Sequence, residues 1–249
     1  MHTVFSYIIQ KRFSQVNEDV ATDALAYVLE SSDAARRGMM KVLRGIIPDF
    51  PPLQFKTQQA EGTIRPDMWG VADNKPRVFV ENKFWAGLTE NQPVSYLKQL
   101  ASYSQPTILL VVAPAARQHT LWRELSRRLL DAGIATSEQD PPPGVYQSVI
   151  TELGTNLTLT SWASVLSALE REAVDDLGAR GDLVQLRALC DAAYIDAFVP
   201  VCTEELSDQR TPSAGSVSYG KIASDLTGIS AVSASDIDWS AAGVFTKTL

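Results

Sequence analysis

The stretch Arg65-Pro66-Asp67-Met68-Trp69 is followed, after a short polar segment, by Arg77-Val78-Phe79-Val80-Glu81-Asn82-Lys83. Arg77 to Val80 is a run rich in β-branched and aromatic residues, and Thr63 to Val71 around the first stretch is a second strand candidate, which predicts two neighbouring strands. The segment Asp73-Asn74-Lys75-Pro76 between them is typical of a tight turn. The sequence therefore predicts a β-hairpin whose strands carry charged side chains in an apolar setting. Such charges are uncommon inside a sheet unless they bind something.

The predicted hairpin brings three charged side chains together. Because side chains alternate between the two faces of a strand, Glu81 and Lys83 lie on the same face. A turn centred on Asn74 pairs residue i with residue 148 − i, which sets Asp67 directly across from Glu81. Cross-strand Cβ atoms lie about 5 Å apart, so two carboxylates there repel each other and one pKa rises. A divalent cation relieves this repulsion, and Mg²⁺ commonly takes one or two carboxylates together with water and substrate phosphate.

This arrangement predicts the hydrolysis of a phosphodiester. A metal-bound water is a better nucleophile at neutral pH than bulk water. Beside Glu81, Lys83 can orient or deprotonate that water, or offset negative charge in the transition state. A bare Glu-x-Lys motif arises about once by chance in a chain of this length, and its alternative is a solvated hairpin face. The apolar flanks Val78-Phe79-Val80 and Phe84-Trp85, with Asp67 on the partner strand, favour the functional interpretation.

Three motifs carry a resemblance to a known family. Pro66-Asp67 followed by Glu81-Asn82-Lys83 resembles the signature of the PD-(D/E)xK nuclease superfamily. Gln92-Pro93-Val94-Ser95-Tyr96 is similar to the Q-x-x-x-Y element of its RecB-like and exonuclease-like branches. Asn17-Glu18-Asp19-Val20-Ala21-Thr22-Asp23-Ala24-Leu25 resembles the N-terminal helix of these nucleases. The resemblance implies Mg²⁺- or Mn²⁺-dependent hydrolysis of DNA or, less often, of RNA. Many relatives act in bacterial or phage restriction, defence or DNA repair.

The resemblance implies a role for each residue of the hairpin motif. Asp67 and Glu81 are expected to be metal ligands, and the backbone carbonyl of Asn82 is expected to add a further ligand. Lys83 is expected to be the catalytic lysine. These four residues form the core of the predicted site.

Three further residues are expected to support this site. Gln92 and Tyr96 lie one helical turn apart and are expected to hold the nucleic-acid backbone or a metal-bound water. Their alternative is an ordinary helix start with a tyrosine at the edge of the core. Glu18 is expected to reach the metal, but an acidic residue in the first turn of a helix also suits the helix dipole. Asp19 and Asp23 compete with Glu18 for the metal role.

Histidine and cysteine usage excludes several other kinds of site. His2 and His119 are the only histidines, which argues against His-dependent nucleases, zinc hydrolases with His ligands and Ser-His-Asp catalysis. Cys190 and Cys202 are the only cysteines. They are interpreted as reduced core thiols and not as a disulfide framework or a zinc site.

The charge balance opposes nonspecific binding of nucleic acid, which usually needs a basic surface. The formal net charge is −7, from 22 basic and 29 acidic residues. A homodimer or a partner protein is therefore an expected way of delivering the substrate. Two basic clusters on predicted helices offset the charge locally, although solvated helix faces are their alternative. Their members are Arg36, Arg37, Lys41 and Arg44, and then Arg117, Arg123, Arg127 and Arg128.

The order of the patterns predicts an α/β fold with a central mixed sheet flanked by helices. By the resemblance, residues 1–178 form a restriction-endonuclease-like core. Residues 179–249 are predicted to be a helical C-terminal extension, with a helix over 181–199, a polar linker over 203–217 and a small appendage. No apolar run is long enough to span a bilayer and no secretory signal is seen, so no membrane partner and a cytoplasmic location are expected.

Two other functions are open at this point. One is a catalytically silent nuclease-like domain that binds nucleic acid or a partner protein. The other is an unrelated α/β interaction domain, which would be favoured if Asp67 and Glu81 lay far apart.

Overall fold

A computed structural model of the chain describes residues 17–57, 64–90, 92–103 and 106–195. Within these ranges groups of helices are interspersed with groups of strands. The elements, in chain order, are α1 (Asn17–Ser31), α2 (Asp33–Ile46), β1 (Gln54–Thr57), β2 (Met68–Ala72), β3 (Lys75–Asn82), α3 (Val94–Ala101), β4 (Thr107–Ala113), α4 (Gln118–Asp131), β5 (Thr136–Gln139), β6 (Val145–Thr151), β7 (Thr155–Ser161), α5 (Trp162–Glu172) and α6 (Leu177–Ile195).

The seven strands of the described residues form one mixed sheet in the order β1-β2-β3-β4-β7-β6-β5. The central strands β3, β4 and β7 are parallel, and the outer pairs are antiparallel. Every residue of β4 is buried, which confirms the prediction that this apolar run is covered on both faces. The predicted α/β class with a central mixed sheet is confirmed.

Helices cover both faces of the sheet and create two apolar cores. Val78 and Val80 of β3 belong to the core that α1, α2, α5 and α6 cover. Phe79, on the opposite face of β3, belongs to the core that α3 and α4 cover. The alternation of side chains along β3 is therefore the predicted one, and Glu81 lies on the face of Phe79.

The helices α2 and α5 pack closely against each other. A Cβ atom at Gly38 would lie 2.6 Å from the Cα atom of Leu169, so this contact requires a residue without a side chain. Ser32 begins α2, and its hydroxyl accepts a hydrogen bond from the Ala35 N–H at 3.1 Å, as expected of an N-cap.

The helix predicted over residues 181–199 is observed as α6. Its residues Leu183, Leu186 and Leu189 are buried in the first core, and Cys190 is a buried free thiol. The predicted linker and appendage, and Cys202, lie outside the described residues, so the division of the chain at residue 178 stays a prediction. None of the helices that the structure describes has the length and apolar character needed to cross a membrane.

Candidate active site

The hairpin of β2 and β3 has the predicted register at the end that carries the acidic residues. Met68 pairs with Val80 and Trp69 pairs with Phe79, which follows the rule that residue i pairs with residue 148 − i. Near the turn the register shifts by one residue, because Gly70 pairs with Val78 whereas Val71 pairs with Pro76, which makes a β-bulge in β3. The register is predicted correctly, whereas the bulge is not.

The turn itself lies half a residue from its predicted centre. Asp73 and Asn74 form a two-residue loop between Ala72 and Lys75, with φ values of 51° and 58°. Positive φ at both positions is the conformation of a type I′ turn, which Asp and Asn tolerate well. The bulge compensates for the displaced centre and restores the predicted pairing at the site.

The structure brings Asp67, Glu81 and Lys83 together, as predicted. Asp67 directly precedes β2, and its Oδ2 atom accepts a hydrogen bond from the Asn82 N–H at 2.7 Å. The Oε1 atom of Glu81 lies 2.7 Å from the Nζ atom of Lys83. Glu81 and Lys83 are only 4% and 7% exposed, so the ion pair is buried at the end of β3.

Gln92 and Tyr96 connect to this ion pair through hydrogen bonds. The Nε2 atom of Gln92 donates to Glu81 Oε1 at 2.6 Å and to the Tyr96 hydroxyl at 3.2 Å. The Tyr96 hydroxyl donates to the carbonyl of Arg65 at 3.1 Å, and Gln92 Oε1 accepts from the Thr89 N–H at 3.1 Å. Both side chains are buried. The contacts support a positioning role, in which Gln92 orients Glu81 and Tyr96 fixes the chain before Asp67.

Glu18 approaches the same end of β3 from α1. Its Oε1 atom accepts hydrogen bonds from the N–H groups of Phe84 at 2.5 Å and of Ala86 at 3.2 Å. One helical turn further along α1, the hydroxyl of Thr22 accepts from the side-chain amide of Asn82 at 2.9 Å. This face of α1 therefore docks onto the end of β3 and onto the loop that follows it.

Burial and neighbouring charges shift the pKa values of the site. Burial, followed by the charge of Glu81, raises the pKa of Asp67 from 3.8 to about 7. Burial also raises the pKa of Glu81, although Lys83 and Gln92 act in the opposite direction. For Lys83, burial lowers the pKa, but the contact with Glu81 and the nearby carboxylates outweigh it and raise the pKa above its usual value. The lysine is therefore protonated at neutral pH, while both carboxyl groups resist ionisation.

The donor set fits a metal ion in one specific respect. The Oε2 atom of Glu81 is buried and has no hydrogen-bond partner, which is costly for a carboxylate. Within the part of the chain that the structure describes, no group of three or more His, Cys, Asp or Glu side chains could hold a metal ion. A metal here would therefore use Asp67 and Glu81 together with carbonyl, water or substrate oxygens, a combination that Mg²⁺ commonly accepts.

One carboxylate oxygen of Glu18 already accepts hydrogen bonds from two backbone N–H groups. The role of Glu18 as a metal ligand stays a prediction. The competing Asp19 and Asp23 are exposed on α1. The carbonyl of Asn82 as a metal ligand also stays a prediction.

Two arginines near the site, Arg117 and Arg128, were predicted only as members of the second basic cluster. The guanidinium of Arg117 donates to the carbonyls of Phe84 at 2.8 Å and Ala86 at 2.6 Å. Arg128 donates to three carbonyls within residues 88–92. Both arginines thus hold the loop between β3 and α3. No sequence signal separates an arginine that binds main-chain carbonyls from one on a solvated helix face.

Comparison of the chain with protein-family models, with curated proteins and with solved structures finds no match. The functional assignment therefore depends on the chemistry and geometry of this site.

Removing the Tyr96 hydroxyl tests the hydrogen-bonded network. The variant Tyr96→Phe is expected to lose about 1–2 kcal/mol of unfolding free energy, because the Arg65 carbonyl and Gln92 lose a buried partner. Denaturant titration measures this loss. Tyr103→Phe is the matched control. The hydroxyl of the half-buried Tyr103 accepts a hydrogen bond from the Gln99 side chain at 2.9 Å, and this contact does not involve the acidic pair. Equal losses in the two variants would contradict a special role of the Tyr96 hydroxyl.

Proposed function

We propose that this chain is a metal-dependent nuclease of the PD-(D/E)xK type with a restriction-endonuclease-like core, and that DNA is its favoured substrate. The observation that carries the proposal is the cluster of the half-buried Asp67 with the buried Glu81 and Lys83, in which Glu81 Oε2 has no hydrogen-bond partner. A purely structural ion pair would be expected to satisfy both carboxylate oxygens. An unsatisfied oxygen beside a second carboxyl group instead favours a site that takes a cation.

Asp67 and Glu81 are the proposed ligands of Mg²⁺ or Mn²⁺, with the Asn82 carbonyl as a further ligand and Glu18 nearby. When bound, such an ion acts as a Lewis acid and lowers the pKa of water. The convergence of carboxyl groups from two adjacent strands is the support for this assignment, since either group alone would be an ordinary strand-end residue.

Lys83 is the proposed catalytic residue that stabilises the negative charge on the scissile phosphate. Its Nζ atom already lies 2.7 Å from a carboxylate oxygen of Glu81, and its raised pKa keeps it protonated. A protonated lysine stabilises negative charge that develops in a transition state. These properties favour charge stabilisation over deprotonation of water. Gln92 and Tyr96 are proposed to position Glu81 and Asp67.

Delivery of the substrate is proposed to need a second chain. The net charge is −7, and two members of the first basic cluster, Arg37 and Lys41, face Glu172 at 3.8 and 2.6 Å. In the second cluster, Arg117 and Arg128 bind main-chain carbonyls. These contacts within the chain reduce the positive charge that the two clusters offer to a phosphate backbone. A homodimer or a partner protein would supply it.

A cleavage screen tests the proposed function. Single- and double-stranded DNA and RNA are each incubated with the protein and Mg²⁺ or Mn²⁺. Cleavage of at least one substrate is expected, and it should disappear with a chelator and in the Glu81→Gln variant. Glu138→Gln, at an exposed position of β5, is the matched control and should cut like the parent. A protein that binds Mn²⁺ but cuts none of the substrates would favour the catalytically silent domain.

Binding of Mn²⁺ is expected to depend on pH, because the ion must displace the proton of Asp67. With a pKa of about 7, the affinity should rise about tenfold per pH unit below pH 7 and level off above it. The stability of the metal-free protein has the opposite pH dependence. Because the pKa of Asp67 is higher in the folded state than its ordinary value of 3.8, the protonated carboxyl group stabilises the fold at acid pH. This contribution is lost as the pH rises towards 7. Calorimetric titration between about pH 5.5 and 8 measures the affinity. A flat pH profile would contradict this assignment.

A further inference from the structure

The chain directly after Lys83 leaves the sheet and needs other support. The ladder between β3 and β4 ends at Asn82 and Val112, followed by one hydrogen bond from the Lys83 N–H to the Val112 carbonyl at 2.7 Å. Residues 84–86 belong to no strand. Their main-chain N–H and C=O groups must therefore find partners elsewhere.

Two charged side chains supply those partners. Glu18 accepts from the N–H groups of Phe84 and Ala86 at 2.5 and 3.2 Å. Arg117 donates to the carbonyls of the same two residues at 2.8 and 2.6 Å. The main-chain polar groups of both residues are thus bound by an acid from α1 and a base from the turn after β4. We refer to the Glu18 and Arg117 side chains, with residues 84–86 between them, as the clamp.

The position and chemistry of Arg117 suit this task. It ends the short 3₁₀ turn Ala115–Arg117 that follows β4. Because β3 and β4 are parallel, their carboxyl ends lie at the same edge of the sheet. The planar guanidinium presents several N–H donors in a fixed fork, which can bind two carbonyls at once, whereas an ammonium is a point donor. Arg117 is only 8% exposed, so its hydrogen bonds are shielded from water.

The clamp adjoins a second restraint on Lys83. The carbonyl of Lys83 accepts a hydrogen bond from the indole N–H of Trp162 at 3.1 Å, and the Phe84 ring stacks on Trp162 with a centroid distance of 5.4 Å. Lys83 is therefore held by β4 on one side and by Trp162 and the clamp on the other. Moving residues 84–86 would move the Lys83 carbonyl away from the indole.

We propose that Arg117 is a positioning residue for Lys83, acting with Glu18 through the main chain of residues 84–86. The inference uses the proposed function only for the catalytic role of Lys83. It assigns Glu18 a task that does not require metal ligation, and it gives Arg117 a role in the reaction without contact with the substrate.

The variant Arg117→Lys tests this proposal, since it keeps the charge and removes the fork. The first readout is the indole N–H signal of Trp162 in a ¹H–¹⁵N correlation spectrum. The chain has five tryptophans, so the Trp162→Phe variant is used to identify which signal belongs to Trp162. We expect this signal to shift and its exchange with water to accelerate. Arg187→Lys is the matched control. Arg187 is also a hydrogen-bonded arginine, and its guanidinium lies 2.7 Å from the carboxylate of Glu170, a residue of α5. The control should leave the Trp162 signal in place.

The second readout is kinetic. In Arg117→Lys, kcat should fall about tenfold or more, with a much smaller change in KM, as expected when a catalytic group is displaced and not removed. Glu18→Gln provides an independent variant, should Arg117→Lys fail to fold, and is expected to move the Trp162 signal in the same way. A Trp162 signal unchanged in both variants would overturn the proposal. If the parent protein cuts no substrate, the proposed function fails, whereas the Trp162 signal still decides whether the clamp exists.

Discussion

Replacing Asp67 by Asn is expected to weaken Mn²⁺ binding by about a hundredfold or more, because the site loses one of its two carboxylate ligands. Asn has nearly the same shape as Asp, and its side-chain oxygen can still accept the hydrogen bond from the Asn82 N–H that Asp67 accepts at 2.7 Å. Calorimetric titration above pH 7, where Asp67 is ionised in the parent, measures the loss.

Asp73→Asn is the matched control for Asp67→Asn. Asp73 is an exposed turn residue with a φ of 51°, a conformation that Asn adopts readily. The metal-free Asp67→Asn protein should also be at least as stable as the parent above pH 7, since a half-buried negative charge near Glu81 has been removed. Equal Mn²⁺ affinity in the two variants would show that Asp67 is not a ligand.

Replacing Lys83 by Met is expected to lower kcat by about 10²- to 10⁴-fold while Mn²⁺ binding is retained. Met fills a similar volume without the charge that lies 2.7 Å from Glu81 Oε1. Since the ammonium and the metal ion both neutralise this carboxylate, the variant should bind Mn²⁺ as tightly as the parent or more tightly. Initial rates on the best substrate of the cleavage screen give kcat and KM separately.

The control for Lys83→Met is Lys98→Met, which makes the same change at an exposed position of α3. Lys98→Met should cut with the parental kcat. A parental kcat in Lys83→Met would contradict the catalytic role of the lysine. Loss of Mn²⁺ binding in Lys83→Met would instead show that the ion pair with Glu81 is needed to hold the fold of the site.

Local patterns of the sequence, together with the family resemblance, predict which side chains come together at the end of β3. The alternation along β3 and the turn between residues 72 and 75 determine which side chains meet, and both can be identified in the sequence. Gln92 and Tyr96 were predicted to act near the acidic pair from the resemblance to the Q-x-x-x-Y element, and in the structure Gln92 contacts Glu81 at 2.6 Å. Strand alternation depends on backbone geometry alone, which is why it transfers from sequence to structure. Gln92 lies in the turn before α3, so helix spacing does not explain its position.

The features that sequence analysis missed depend on tertiary contacts. Strand β5 has the exposed polar sequence Thr136-Ser137-Glu138-Gln139, which shows neither alternation nor an apolar run. In β7, the buried Thr158 finds its hydrogen-bond partner in the Ser148 hydroxyl, 2.9 Å away on the neighbouring strand β6. Arg117 binds carbonyls that lie 31 and 33 positions earlier in the chain. Such contacts become visible only when the sheet has assembled.

Asp67 and Glu81 are together the proposed ligands of a divalent metal ion. Anomalous diffraction from crystals grown with Mn²⁺ would locate such an ion. The expected result is a single strong peak at the site, about 2.1 Å from an oxygen of Asp67 and from Oε2 of Glu81, and its absence from Asp67→Asn crystals. At saturating Mn²⁺ above pH 7, the absence of a peak between the two carboxyl groups, or a peak that persists in Asp67→Asn crystals, would contradict the account.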